Sequence, residues 1–134
     1  AEEIKIKYGS ATYLNLNEDE TIKAKLFKHH MKTMFKKDIS YVIHCRLVEI
    51  LEFIDFAISS HIDKKQLIYG IIFTGGTSNT SSFRKLLKPI FKIDCFTYLE
   101  NNSMFTIINP NNIYLLNNPI YTAVLGVLKL DFKK

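Results

Sequence analysis

The chain is poor in the residues that catalytic and metal-binding centres are built from. Its two cysteines, Cys45 and Cys95, stand far apart with neither metal-ligand spacing nor a CxxC pattern, so both read as buried thiols. Four histidines (His29, His30, His44 and His61) form no catalytic or metal arrangement, and His44 sits where a helix would give it a structural role. Long apolar runs are missing too. The apolar stretches are short and broken by Lys, Asp or Asn, which excludes a membrane-spanning helix, and no secretory leader opens the chain. No Asp or Glu stands in a recognisable phosphate or water-activating motif. These absences argue against a thiol enzyme, a metalloprotein or a self-sufficient hydrolase.

What is present describes a globular domain. A length of 134 residues suffices for one domain with a real core, and 47% apolar with 23% charged residues is an ordinary soluble composition. The net charge of +5 is local: Lys23, Lys25, Lys28, Lys32, Lys36 and Lys37 crowd one stretch around His29 and His30. A solvated face or loop explains such a run, as does an acidic protein partner. Nucleic acid ranks last, because the aromatic residues do not alternate with this cluster as a base-stacking surface requires: only Phe27 and Phe35 fall among the lysines.

Periodicity supplies the elements. Residues 2–8 read as the end of a helix stopped by Gly9, and 11–16 as a short strand with Ala11, Tyr13 and Leu16 on one side. An acidic turn at 17–20 leads into a lysine-rich edge strand and loop. Asp38 is placed to cap a long helix over 38–61, striped by Ile39, Val42, Ile43, Leu47, Ile50, Leu51, Ile54 and Ile58. The unbroken apolar run 67–74 predicts a central strand buried on both faces. A polar turn at 77–82 precedes an amphipathic helix carrying Phe83, Leu86, Leu87, Ile90 and Phe91 despite Pro89, and 92–97 predicts another short strand. Residues 101–118 read as irregular, and Pro119 opens a mostly buried closing helix over 120–128. The order is that of a mixed α/β domain, in which a glycine-rich turn after a central strand is where ligands bind.

The sharpest local feature is Phe73-Thr74-Gly75-Gly76-Thr77-Ser78. Paired glycines let a backbone approach a ligand, and the following hydroxyls and helix start offer donors, although a tight turn alone would use the same residues. With its neighbours the segment Gly70 to Ser78 resembles the adenosine loop of the actin, Hsp70 and MreB superfamily. Ala1-Glu2-Glu3-Ile4-Lys5-Ile6-Lys7-Tyr8-Gly9-Ser10-Ala11 is similar to that superfamily's adenosine-contacting helix end, and Tyr121 to Leu128 to its closing helix. The resemblance implies a partial actin-like, ribonuclease H-like fold, a mixed sheet flanked by helices, corresponding to the second half of an actin-type ATPase. It implies ATP as ligand, with Glu2, Lys5, Gly75, Gly76 and Thr77 at the nucleotide.

Within that superfamily Val42-Ile43-His44-Cys45-Arg46-Leu47-Val48-Glu49-Ile50-Leu51 resembles the corresponding helix of the FtsA family of bacterial cell-division proteins. That resemblance implies a subdomain 2B-like part at 1–66 and a subdomain 2A-like part at 67–134, with the tail-binding helix at 38–61 and the adenosine loop at 73–78. It also implies that Arg46, Glu49, Lys32 and Lys36 receive the C-terminal tail of FtsZ, where a guanidinium suits a free carboxylate. Self-association into actin-like protofilaments and a place at the division septum, on the cytoplasmic face of the inner membrane, follow from the same resemblance. The family's phosphate hairpins and Mg²⁺-holding acids, its catalytic half and its membrane helix have no counterpart in this sequence, and the intact family binds ATP with weak or no hydrolysis. Ser82 stands where the family usually keeps a further glycine, Asp38 where some relatives carry lysine, and Tyr98-Leu99-Glu100 replace a Gly-Pro-type ending. An MreB-like filament protein and an Hsp70-type ATPase domain are the competing assignments.

Overall fold

The computed structural model describes residues 2–25, 31–97, 114 and 118–131. Lys28, His29 and His30, the departure at 98–100 and most of the asparagine-rich 101–118 segment lie outside the described residues, as does Ala1. In chain order the elements are helix α1 (Glu2–Tyr8), strands β1 (Thr21–Lys25) and β2 (Met31–Phe35), helix α2 (Lys36–His61), strand β3 (Ile71–Ile72), helix α3 (Arg84–Phe91), strand β4 (Cys95–Phe96) and helix α4 (Thr122–Asp131). Short 3-10 turns occupy Lys64–Gln66, Gly76–Asn79 and Pro119–Tyr121. The strands form two small sheets, β1 antiparallel to β2 and β3 parallel to β4.

The lysine-rich stretch is a two-stranded hairpin rather than one edge strand and a loop. Ile22 and Ala24 alternate inward while Lys23 and Lys25 face solvent, the period-2 pattern of a strand with one covered face. Part of its positive charge is neutralised by the acidic turn, since Lys36 pairs with Glu20 at 2.9 Å and Lys37 pairs with Glu18.

Helix α2 starts two residues before the expected Asp38, with Phe35 in the cap position and no side-chain cap. Asp38 instead sits in the first turn, where a carboxylate complements the helix dipole. Leu47 and Leu51 are buried, but Val42 and Ile50 of the expected stripe are exposed at 68% and 40%. Val42 is nine residues from Leu51, about half a turn round the helix, so one apolar stripe cannot hold both inside. Their place is taken by polar groups. Ser40 is fully buried and accepts from the Ser10 N–H at 3.2 Å, and His44 Nδ1 donates to the Ala11 carbonyl at 2.8 Å. Tyr13 packs edge-on against both Tyr41 and His44, with ring centroids 5.0 and 5.1 Å apart.

Residues 11–16 thus pass beneath α2 without forming the expected strand. Ser10 makes a single parallel bridge to Ser81, the Ala11 N–H donates to the Ser81 carbonyl at 2.8 Å, and the backbone then turns. The inward residues are the expected ones, Ala11 fully and Tyr13 half buried, yet side chains and one bridge take the bonds a ladder would use.

The core joins both halves of the chain: Ala11, Leu47 and Leu51 pack with Phe83, Leu86, Leu87 and Phe91. Phe73 lies against Phe83 and Phe91 at 6.0 and 5.1 Å between centroids. Pro89 stands inside α3, which ends two residues later at Phe91, where left-handed Lys92 (φ 58°) donates its N–H to the Lys88 carbonyl at 3.0 Å. Lys64 ties the ends of α2 and α3 together, lying 2.5 Å from Asp55 and donating to the Phe91 carbonyl at 3.4 Å.

Two burial expectations are overturned. Strand β3 is two residues long and has one neighbour among the described residues, and Ile68, Tyr69 and Ile72 of its apolar run are 83%, 91% and 45% exposed. In the closing helix Val124 and Val127 are 58% and 66% exposed. In both segments these apolar side chains face away from the elements packed against them and meet solvent.

Candidate functional site

The turn after β3 is built around Gly75, whose φ of 90° favours glycine. Its N–H donates to the Pro119 carbonyl at 3.0 Å, and its own carbonyl accepts from the Ser78 hydroxyl at 2.7 Å. Ser78, expected to offer a donor outward, is therefore buried and spent inside the turn. Asn79 Nδ2 donates to Asn118 Oδ1 at 2.7 Å, and the same oxygen accepts from the Ile120 N–H at 3.1 Å. Gly75, Asn79 and Asn118 thereby lock the glycine turn to the start of the last helix.

Helix α1 stands across from this turn. Glu2 and Lys5 lie on one face at i, i+3 spacing and form an ion pair at 2.5 Å. Gly9 allows α1 to dock on α2: a Cβ at this position would stand 2.5 Å from the Lys5 carbonyl oxygen and would collide with Cδ1 of Ile43. The requirement here is close approach, since Gly9 is not among the positive-φ residues.

Between α1 and the turn lies a cleft of about 560 Å³ lined by Glu2, Lys5, Ile6, Gly76, Thr77 and Ile120, among others. Four of the five residues assigned to the nucleotide thus meet at one cavity, and Gly75 shapes it from behind. A Cβ on Gly76 would find only Ile120 Cγ1, at 3.9 Å, so the missing side chain leaves space open to a ligand. The volume lies within the range of small-molecule pockets. A carboxylate, an ammonium and a hydroxyl between apolar Ile6 and Ile120 suit a ligand that combines a ring with hydroxyl groups. Asn79 and Ile120 also line it and escaped sequence reasoning. Asn79 has a local signal, two residues beyond Thr77 in the same turn, but Ile120 reaches the cleft only through the fold.

The residues assigned to a partner peptide are spread out. Arg46 Nη1 donates to Glu49 Oε2 at 2.6 Å, with both side chains about two-thirds exposed at 67% and 68%. Lys36 is ten residues before Arg46, about 15 Å along the helix axis, and is held by Glu20. Lys32 is exposed on β2. They do not form one cluster; Val42, Phe53 and Phe56 flank Arg46 and Glu49 on the outer surface of α2 at 68%, 72% and 71% exposure.

Among the described residues no group of three or more His, Cys, Asp or Glu side chains is placed to hold a metal ion. No helix there is long and apolar enough to cross a membrane. No family model matches the sequence. Over 109 residues the chain is 32% identical to the cell division protein FtsA of Buchnera aphidicola subsp. Baizongia pistaciae, an alignment covering 69% of this chain and 24% of the relative. The chain thus spans about a quarter of the length of the curated relative it matches, and that relative is a cell-division protein.

Proposed function

We propose that this chain is a segment of an FtsA-type cell-division scaffold with an actin-like, ribonuclease H-like fold. In this reading residues 1–66 are the 2B-like part, residues 67–134 the 2A-like part, and their cleft is one wall of an ATP site. The observation that carries the reading is the meeting of Glu2 and Lys5 with Gly76 and Thr77 across one cavity, from segments some seventy residues apart. Glu2 would accept from ribose hydroxyls while Lys5 holds the carboxylate in place, and the bare Gly76 backbone would face the base. The phosphates and Mg²⁺ would be held by the hairpins and acidic residues that the actin-like resemblance assigns to the other half of such a fold.

The outer face of α2 would receive the acidic tail of FtsZ. Arg46 is already extended into solvent, and its exchange of Glu49 for a peptide carboxylate costs little because the existing pair is exposed. Protofilament formation and attachment to the inner membrane at the septum would belong to the whole protein. Calorimetric titration of adenosine tests the cleft: binding should be lost in Gly76→Phe, which fills the cavity, and equal affinity would refute the assignment. Titration of an FtsZ-tail peptide against Arg46→Glu tests the helix, and unchanged affinity would remove the tail site.

A further inference from the structure

A second concavity, of about 320 Å³, adjoins the first and shares Lys7, Gly9 and Ser81 with it. Its chemistry differs. Lys7, Lys36 and Lys85 line it with Ser10, Thr12 and Ser82, and no acidic residue does. Lys36 is engaged by Glu20 at 2.9 Å, whereas Lys7 and Lys85 have no carboxylate partner among the described residues. Lys7 is steadied by the Tyr8 ring, 5.3 Å from its centroid. Two uncompensated ammonium groups around one hollow repel each other, and an anion placed between them removes that repulsion.

The hydroxyl side of the hollow carries a second unusual feature. Ser82 has φ 62°, a left-handed conformation that a serine holds at a cost and a glycine does not. Ser82 lines the same basic hollow as Lys85, two residues before α3 begins at Arg84.

We propose that this second cleft is an oxyanion site taking the phosphate or diphosphate group of a small soluble ligand. Lys7 and Lys85 supply point charges, and the Ser82 hydroxyl donates a charge-assisted hydrogen bond. The site adjoins the proposed adenosine cleft through Lys7, Gly9 and Ser81 but is carried by Lys85 and Ser82, which line only the second hollow, and it stands whether or not the first binds adenosine.

The test is an amide NMR titration of the 134-residue chain with inorganic pyrophosphate at constant ionic strength. Saturable shifts are expected at Ser10, Ser82 and Lys85. Lys85→Glu should weaken binding about tenfold or more, whereas Lys88→Glu should change it less than about twofold. Lys88 makes the same charge change on the same helix but does not line the hollow. Ser82→Gly should weaken binding while raising the melting temperature by about 3–6 °C, because the strain is relieved as the donor is lost. Saturating adenosine should leave the pyrophosphate titration unchanged. Absence of saturable shifts, equal losses in Lys85→Glu and Lys88→Glu, undiminished binding by Ser82→Gly, or abolition by adenosine would each overturn the proposal.

Discussion

Replacing Gly9 by alanine tests how α1 is held over the cleft. A Cβ there stands 2.5 Å from the Lys5 carbonyl oxygen, and the Gly9 N–H already donates to that oxygen at 2.9 Å. Ile43 can rotate its terminal methyl aside, but the Lys5 carbonyl is main chain and cannot yield without losing the bond that closes α1. Overpacking of this kind costs about 1–3 kcal/mol. The opposing term is the lower unfolded-state entropy of alanine, worth about 0.4–1 kcal/mol. The net expectation is a loss of about 1–2 kcal/mol, or a fall of about 3–8 °C in melting temperature for a chain of this size. Circular dichroism melts and urea unfolding with an unchanged slope would read it. The two terms have opposite signs, so a melting temperature clearly above wild type would refute the close approach of Gly9 to the Lys5 carbonyl. If the cleft takes adenosine as proposed, its affinity should fall with it, since a displaced α1 takes Glu2 and Lys5 out of the cleft.

Three further outcomes follow from the same structure. Leu87 is 1% exposed within the core, so Leu87→Ala should cost about 2–5 kcal/mol in urea unfolding, whereas Val124→Ala on an exposed face should stay within about 0.5 kcal/mol. A hydrogen bond from Lys37, and then its positive charge, hold the Glu18 carboxyl below the ordinary glutamate range. A lowered folded pKa contributes stability above the unfolded value and loses it as pH falls through the folded one, so the contact should weaken from about pH 4.3 downward. By NMR the Glu18 midpoint should rise in Lys37→Met; an unchanged midpoint in that variant would contradict the contact. Burial, then the charges of Asp94 and Asp55, push the Cys95 thiol up, while Cys45 is exposed. A disulfide reagent should therefore modify Cys45 about tenfold faster or more, with denaturant removing the gap, and equal native rates would count against the burial.

Local pattern determined a good deal of this protein. The end of α1 at Gly9, the amphipathic α3 with Phe83, Leu86, Leu87 and Phe91 inward, and Pro119 opening the last helical segment all rest on short-range chemistry that a sequence displays directly. That Glu2 and Lys5 share one helix face follows from their i, i+3 spacing, whereas their ion pair is a finding of the structure. Burial was not legible where it depends on partners. The run through Ile68, Tyr69 and Ile72 and the valines of α4 are apolar enough for a two-sided core, yet the described fold covers one side only. Ser40 and His44 took inward places on α2 that a hydrophobic stripe would never assign to them, because the Ser10 and Ala11 backbone needed polar partners there. Ser82 carries the same lesson, since only the tertiary path shows that it stands in a left-handed turn that glycine would occupy without strain. Even the meeting of Glu2 and Lys5 with Gly76 and Thr77 awaited the fold. Side-chain periodicity is a property of a few neighbouring bonds, whereas a cleft is closed by contacts between segments that the sequence keeps far apart.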